Sequence, residues 1–284
     1  MKTRLKIQLL LIVFSIGLTT SSSAQQNDKD SSQNYNSFST RYFQNSNALA
    51  MKKGDYYVMT HIAGPEIQYA ATKNLSVGLI SSWLASPMIA TIRYTIPTKN
   101  KKVNFGIGTM FGTTGYLNNF RGFGGYHYGM MTIGDYSKNL TVSAGYVYCA
   151  PGNTYSRKVP GTYTGIKVPL NPTRDFFSGI TTSISGMMKI GEKTSIVLDA
   201  TLLSGRYQEN HTDANYTYSS DNTETIEVKE IPSQTTFLYL MPGIRFQKSE
   251  NKAFQLALAG LSVFPKSRST YTIPVPVCSW FVKF

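Results

Sequence analysis

Hydrophobic and polar residues alternate with a period of two over most of the chain beyond residue 54. In Leu75–Leu79 and Val103–Gly108, for example, aliphatic or aromatic side chains alternate with Gly, Ser and Asn. Successive side chains of a β-strand point to opposite faces, so each such run predicts a strand with one apolar face and one small or polar face. We predict twelve strands on this basis, at residues 55–62, 65–72, 75–83, 87–97, 102–112, 122–134, 139–149, 176–190, 194–204, 235–247, 253–262 and 273–284.

The connections between these strands alternate in length. Short turns on one side and long loops on the other are the asymmetry of transmembrane β-barrels. The pattern predicts an all-β fold, a single closed antiparallel transmembrane barrel with both termini on the periplasmic side. The alternative is ten strands, with the N-terminal segment partly outside the ladder. The short connections are 73–74, 98–101, 135–138, 191–193 and 248–252, and the long ones are 113–121, 150–175, 205–234 and 263–272.

The predicted strands carry few charges, which separates a barrel from the other all-β fold, a secreted soluble β-sandwich. A sandwich would place Lys and Glu on its solvated faces, whereas these faces hold Gly, Ser, Thr and Asn. A charge facing lipid at mid-depth costs roughly 2–4 kcal/mol, and in lipid only closed barrels and helices pair every backbone group. The pattern therefore favours a membrane barrel. The eight strand charges are Asp55, Glu66, Arg93, Lys102, Lys189, Asp199, Arg245 and Lys283.

The N-terminal residues have the order of a secretory signal. Three basic residues, Lys2, Arg4 and Lys6, precede an apolar stretch at 9–18 and the small residues Ser22-Ser23-Ala24. This order predicts a signal peptide over residues 1–24, and the apolar stretch is too short for a spanning helix, which needs about 20 residues.

Polar residues dominate the next segment. Residues 25–48 are mostly Gln, Asn, Ser and Asp, and such a composition does not bury enough apolar surface to offset its chain entropy. We therefore expect a flexible periplasmic tail over 25–48, and an outer-membrane barrel over 49–284.

The chain is basic, with a formal net charge of +13. An exported barrel does not meet nucleic acid, so we attribute the excess of basic residues to contacts with the membrane surface. Basic side chains in or beside the predicted outer loops would face the lipid phosphates and the lipopolysaccharide sugars of the outer leaflet. The members of this predicted outer basic rim include Arg121, Arg157, Lys158, Arg174 and Arg206.

Two segments resemble those of known bacterial barrels. The run Met51-Lys52-Lys53-Gly54-Asp55-Tyr56-Tyr57 resembles the lead-in of a family of uncharacterised bacterial outer-membrane β-barrel proteins. The last strand, with Trp280 and Val282 on one face and Phe284 at its end, resembles the assembly signal of such barrels. The resemblance implies the outer membrane of a Gram-negative bacterium and recognition by the barrel assembly machinery. It implies no activity, so no functional residues transfer.

The lumen is the first candidate for function. Arg93, Asp199 and Arg245 are predicted to point inward among small residues. Asp199 and Arg245 lie on adjacent predicted strands, so they form either a self-neutralising pair or part of a charged constriction that selects solutes, as rings of charge do in pores.

We therefore expect a narrow passive channel or a small-solute binder. The first alternative is a non-conducting barrel whose extracellular loops bind a partner or polysaccharide. The second is a lipid-modifying enzyme with His127 as its base, although no nucleophile motif supports it and we expect no enzymatic activity. No metal-ligand spacing or cofactor motif occurs, so we expect neither.

Overall fold

A computed structural model of the chain describes residues 37–99, 102–150, 152, 176–209, 215–218, 224–227, 231–265 and 271–284. Twelve antiparallel strands close into a barrel, as predicted, and a two-stranded hairpin, β10–β11, lies in the connection between β9 and β12. The strands are β1 (Tyr56–His61), β2 (Gly64–Ala70), β3 (Leu75–Ser81), β4 (Met88–Ile96), β5 (Val103–Thr113), β6 (Phe123–Gly134), β7 (Lys138–Ala150), β8 (Phe176–Lys189), β9 (Thr194–Glu209), β10 (Asn215–Tyr218), β11 (Glu224–Glu227), β12 (Ile231–Ser249), β13 (Lys252–Pro265) and β14 (Tyr271–Lys283).

Helical structure is limited to two short 3₁₀ segments, Ser37–Thr40 and Tyr116–Asn118, within the described ranges. No helix in that part of the chain has the length and apolar character needed to cross a membrane.

Pairing of the first and last strands closes the barrel. Tyr57 lies opposite Lys283 and His61 opposite Ser279 in this ladder. The barrel therefore has one end where β1 begins, β14 finishes and the connections after β2, β4, β6, β8 and β12 lie. We call it the turn end, and the opposite end the loop end. The start of β1 and the last residue thus both lie at the turn end, as an even number of strands requires.

The two faces of the wall are oriented as the alternation predicts. Outward side chains such as Ile107 and Ile180 are 53% and 64% exposed, whereas the inward Ser76 and Gln68 are buried. Soluble monomers rarely expose an apolar surface this extensive, and an outward apolar band with a polar interior is typical of transmembrane barrels. The outer face therefore indicates a barrel that spans a membrane.

The height of the wall varies around the barrel. The strands β1, β2 and β3 have six, seven and seven residues. The strands β9 and β12 on the far side have 16 and 19. The low strands are joined at the loop end by the tight turn Ile62-Ala63 and by residues 82–87, so the wall is lowest there.

The interior is filled from the turn end by a chain segment. Residues 38–51, which we call the plug, are all buried. The prediction of a flexible tail over 25–48 is therefore wrong for residues 38–48. The cause is that the polar groups of this segment bond to the inner wall, while Phe38, Tyr42 and Phe43 enter apolar clusters with wall residues. Residues 25–36, and the signal peptide predicted over 1–24, lie outside the described residues.

Candidate functional site

The plug folds back on itself as a tight hairpin. The amide of Tyr42 donates to the carbonyl of Asn45 at 2.9 Å, and the amide of Asn47 donates to the carbonyl of Thr40 at 3.2 Å. Arg41 and Ser46 form an isolated bridge below this turn. The hairpin therefore satisfies part of its own backbone and presents Phe43, Gln44 and Asn45 at its tip.

Asp199 on β9 holds the tip of the plug. Its carboxylate accepts the backbone amides of Gln44 at 2.6 Å and Asn45 at 2.7 Å, and it also accepts the Asn45 side-chain amide. Ser185 on β8 donates to the same carboxylate at 2.7 Å. Hydrogen bonds to an ionised acceptor are roughly twice as strong as neutral ones, so Asp199 is a strong anchor for the plug.

Arg245 on β12 binds the other side of the hairpin. Its guanidinium donates to the carbonyl of Phe38 at 2.6 Å, to the carbonyl of Arg41, and to Oε1 of Gln255 at 2.6 Å. The guanidinium carbon also lies 5.2 Å from the centre of the Phe281 ring. Asp199 and Arg245 therefore both face the interior of the barrel. Instead of pairing with each other, each binds the plug.

Arg41 brings a further charge into the lumen. Its guanidinium meets Glu66 of β2 at 2.6 Å, with both side chains fully buried. Arg93 of β4 is also buried in the interior, with 2% of its side chain exposed. Three arginines and two carboxylates thus occupy the described interior. The charged side chains of the described interior therefore include one more positive charge than negative charges.

Neutral contacts complete the attachment of the plug. The hydroxyl of Tyr42 donates to Asn139 at 2.6 Å and lies 2.7 Å from the hydroxyl of Thr141. Burial raises the pKa of Tyr42, so its phenol remains a neutral donor at ordinary pH. The amide of Ala48 donates to Thr132 at 2.7 Å, and the Tyr136 hydroxyl donates to the carbonyl of Ala50 at 2.8 Å.

A cavity of about 60 Å³ lies on the loop side of the plug. Gln44 and Asn45 form its floor, and the surrounding wall is mainly apolar and aromatic. Concave, mostly apolar sites with a few polar groups are the usual form of a small-molecule site, but such sites usually measure about 300–1,000 Å³, so this cavity holds only part of a bound solute. The wall residues are Tyr126, Val147, Thr181, Thr201, Leu203, Phe237, Tyr239 and Leu261.

The residues of the predicted basic rim are partly described. Arg121 is exposed in the connection after β5, and Arg206 is exposed near the loop end of β9. These two lie at the same end of the barrel. Arg157, Lys158 and Arg174 lie outside the described residues.

The predicted assembly-signal residues lie on the outer face at the turn end. Trp280 is 48% exposed and Phe284 is 62% exposed. The Phe284 ring stacks on Tyr56 of β1, with ring centres 5.3 Å apart. Val282 pairs with Val58 on this same face. Their role in assembly stays a prediction.

His127, the predicted base of the enzymatic alternative, lies on the outer face of β6. Its Nδ1 is 2.7 Å from the hydroxyl of Thr109. Among the described residues, no group of three or more His, Cys, Asp or Glu side chains is arranged to hold a metal ion.

The sequence pattern missed the plug side of the site. Arg41 and the tip residues Gln44 and Asn45 belong to a segment whose polar composition resembles that of a disordered tail. A usable signal was present, because Phe38, Tyr42 and Phe43 interrupt the polar run with large rings. The sequence identifies Glu66 as a charge within a strand, but its partner Arg41 becomes evident only when the plug is folded into the barrel.

No family model and no curated protein matches this chain significantly. Among solved structures it is similar to the NanC porin, with 10% identity, a TM-score of 0.38, and coverage of 81% of this chain and 97% of the porin. It is also similar to the CymD monoaromatic hydrocarbon channel, with 9% identity, a TM-score of 0.35, and coverage of 82% and 89%. BamA from Haemophilus ducreyi lacking POTRA domains 1–3 shares 11% identity, a TM-score of 0.25, and coverage of 99% and 78%. Likenesses this distant carry no information about what the chain binds or transports.

Proposed function

We propose that the chain is an outer-membrane channel that binds a small solute in its lumen and is closed toward the turn end by the plug. The observation that carries this proposal is that Asp199 and Arg245, the inward charges expected to line a pore, bind the backbone of the plug. A segment held by side chain–backbone hydrogen bonds across a lumen obstructs passage for as long as those bonds persist.

The chemistry of the contact surface favours a removable plug over a permanent core. The wall offers carboxylate, guanidinium, amide and hydroxyl groups to the plug, through Asp199, Arg245, Asn139 and Thr132. Each of these groups can exchange its plug bond for a bond to water, so the net loss per hydrogen bond on release is about 0.5–1.5 kcal/mol for the neutral groups and about 1.5–3 kcal/mol for Asp199 and Arg245. Release would also expose the apolar surface that Phe38, Tyr42 and Phe43 bury, so the plug is expected to leave the lumen only rarely.

The cavity indicates the class of solute. Phe237 and Tyr239 offer ring surface, while Gln44 and Asn45 offer amide groups at the floor. This combination suits a small molecule with one apolar or aromatic body and one hydroxyl or carbonyl group. Because the floor belongs to the plug, bound solute would contact the segment that must move for passage.

Conductance in planar bilayers tests the channel. The wild-type chain is expected to be silent apart from rare openings, and deletion of residues 38–50 to give a steady current. As a second variant, Asn45→Cys/Thr201→Cys in a Cys149→Ser/Cys278→Ser background joins two side chains now 2.8 Å apart. Its openings should vanish on oxidation and return with reductant. A wild-type current equal to that of the deletion variant would show that the plug does not close the lumen. Silence of a folded deletion variant would refute a channel.

Calorimetric titration with 1-naphthol, an aromatic body with one hydroxyl, tests the binding site. We expect saturable binding by the wild-type chain and weaker binding by Phe237→Ala. Leu258→Ala, which removes an outward side chain that is 55% exposed, serves as the control and should bind like the wild type. Absence of saturable binding would contradict the solute site.

A second function is a non-conducting barrel whose loop end binds lipopolysaccharide or another polysaccharide. It is favoured by Arg121 and Arg206, which are exposed at the loop end. Both proposals include termini on the periplasmic side and recognition of the last strand by the barrel assembly machinery. We infer a non-catalytic role, since His127 lies on the outer face beside the Thr109 hydroxyl and the Tyr148 ring, with no carboxylate described beside it. His127→Ala is expected to leave any lipid hydrolysis unchanged.

A further inference from the structure

The low wall at β1–β3 is shorter than a membrane crossing. Seven residues at about 3.3 Å each span about 23 Å along the strand, and a tilt of roughly 40° reduces this to about 18 Å of height. The apolar band of a transmembrane barrel is about 25 Å tall. The loop-end rim of these strands therefore lies within the depth of the hydrocarbon.

Above this rim, one edge of β14 is free within the described residues. β1 pairs with β14 only from Ser279 to Lys283, whereas β13 pairs with it from Tyr271 to Val282. The upper part of β14, residues 271–278, therefore borders an opening above the turn Ile62-Ala63. We call this opening the lateral notch.

The sequence of β14 keeps this edge free. The amide of Phe284 donates toward β1, to Tyr56, while the amide of Lys283 donates to Asn251 on the β13 side. Amides of even-numbered residues in β14 thus point to the β1 side, and residues 274 and 276 on that edge are both proline. Proline has no amide proton, and natural sheets use it to stop a free edge from pairing with another strand. The two prolines therefore keep this edge of β14 from pairing, so the sequence itself maintains the notch.

The notch joins the lumen to an apolar outer surface. Val275 belongs to the inner face, since it pairs with the inward Ala259, yet it is 45% exposed. Leu261, which lines the cavity, lies on the adjacent strand and faces the same way. On the rim below, Ile62, Trp83 and Leu84 are 60%, 61% and 62% exposed, and the Trp83 indole donates to the Ile62 carbonyl at 2.9 Å.

We propose that solute reaches the lumenal cavity sideways, from the hydrocarbon of the loop-end leaflet, through the lateral notch. This inference rests on the proposed function, because it supplies the entry route for that cavity. The substrate class is narrowed accordingly to small molecules that partition into lipid. An apolar rim set in hydrocarbon offers them a path that does not cross the solvated loops.

The depth of Trp83 tests the placement of the notch without any ligand. The chain has only two tryptophans, so Trp280→Phe leaves Trp83 as the sole reporter. In vesicles of phosphatidylcholine brominated on its acyl chains, Trp83 fluorescence should be strongly quenched, and aqueous iodide should have little effect. Trp83→Phe, which leaves the outward Trp280, is the lipid-facing control. Quenching of Trp83 by iodide but not by brominated lipid would overturn the inference.

The route is tested by stopped-flow binding of 1-naphthol from vesicles. Val275→Trp should lower both association and dissociation rates about tenfold while leaving the Kd within about twofold, because a barrier slows both directions equally. Leu258→Trp, on the outer face of β13, should change neither rate. An unchanged rate in Val275→Trp would show axial entry and leave the proposed site intact. Failure of the wild-type chain to bind 1-naphthol would instead remove the site itself.

Discussion

Arg41 of the plug and Glu66 of β2 form an ion pair of 2.6 Å in which both side chains are completely buried. This contact joins the segment before the barrel to one of its shortest strands. Removing one partner of such a pair leaves an uncompensated buried charge, which is far more costly than losing an exposed pair. The pair is therefore the place where a single substitution most directly weakens the attachment of the plug.

Glu66→Gln is expected to destabilise the folded barrel by about 3–5 kcal/mol, because the Arg41 guanidinium would keep its burial and lose its counter-charge. The measurement is the urea midpoint of the protein in lipid vesicles. Asp55→Asn is the matched control, since Asp55 and Lys283 pair at 2.6 Å with side chains 17% and 20% exposed. That pair keeps partial contact with solvent, so its loss should cost less than the loss of the buried pair. Equal losses in the two variants would contradict the role of the buried pair.

Asp199→Asn is expected to raise the open probability of the channel in planar bilayers. The substitution removes the charge that receives the amides of Gln44 and Asn45, and charged acceptors contribute about 1.5–3 kcal/mol per bond against about 1 for neutral ones. Asp135→Asn serves as control, because Asp135 caps an exposed turn through the amides of Ser137 and Lys138. If the two variants open equally often, Asp199 does not hold the plug.

Gly108→Ala should destabilise the barrel by about 1–3 kcal/mol through overpacking. A methyl group at Gly108 would lie 2.2 Å from the ring of Tyr128, which packs across the β5–β6 ladder over this glycine. Gly129→Ala, on the outer face of β6, has no atom within 4 Å of the added carbon and is expected to be tolerated. Thermal unfolding in detergent compares the two; equal Tm values would refute the packing argument.

Replacing Pro274 and Pro276 together by valine is expected to promote oligomers. The change restores two amide donors on the free edge of β14 and so creates a template for strand addition. Crosslinking and size-exclusion chromatography in detergent measure the result. Thr272→Val lies on the same edge and leaves the number of amide donors unchanged. It should therefore keep the oligomeric state of the wild type. A double variant with unchanged oligomeric state would show that the prolines do not protect this edge.

Local periodicity was sufficient to predict the wall of the barrel. Alternation in segments such as Leu75–Leu79 fixes which side chains face lipid, because neighbouring strand residues must point to opposite sides. Together with the charge-poor strands, this alternation predicts the twelve-strand closed barrel, which is confirmed. Arg93, Asp199 and Arg245 are buried inside it.

The contents of the lumen were decided only by the tertiary structure. Residues 38–48 look unable to fold because their polar groups have no partners nearby in sequence. Their partners, Asp199 and Arg245, lie 154 or more residues away along the chain. The same holds for the lateral notch, since the prolines at 274 and 276 acquire meaning only once β1 is seen to end at His61. Sequence periodicity thus determines the orientation of each strand, whereas contacts between distant segments determine what the barrel encloses.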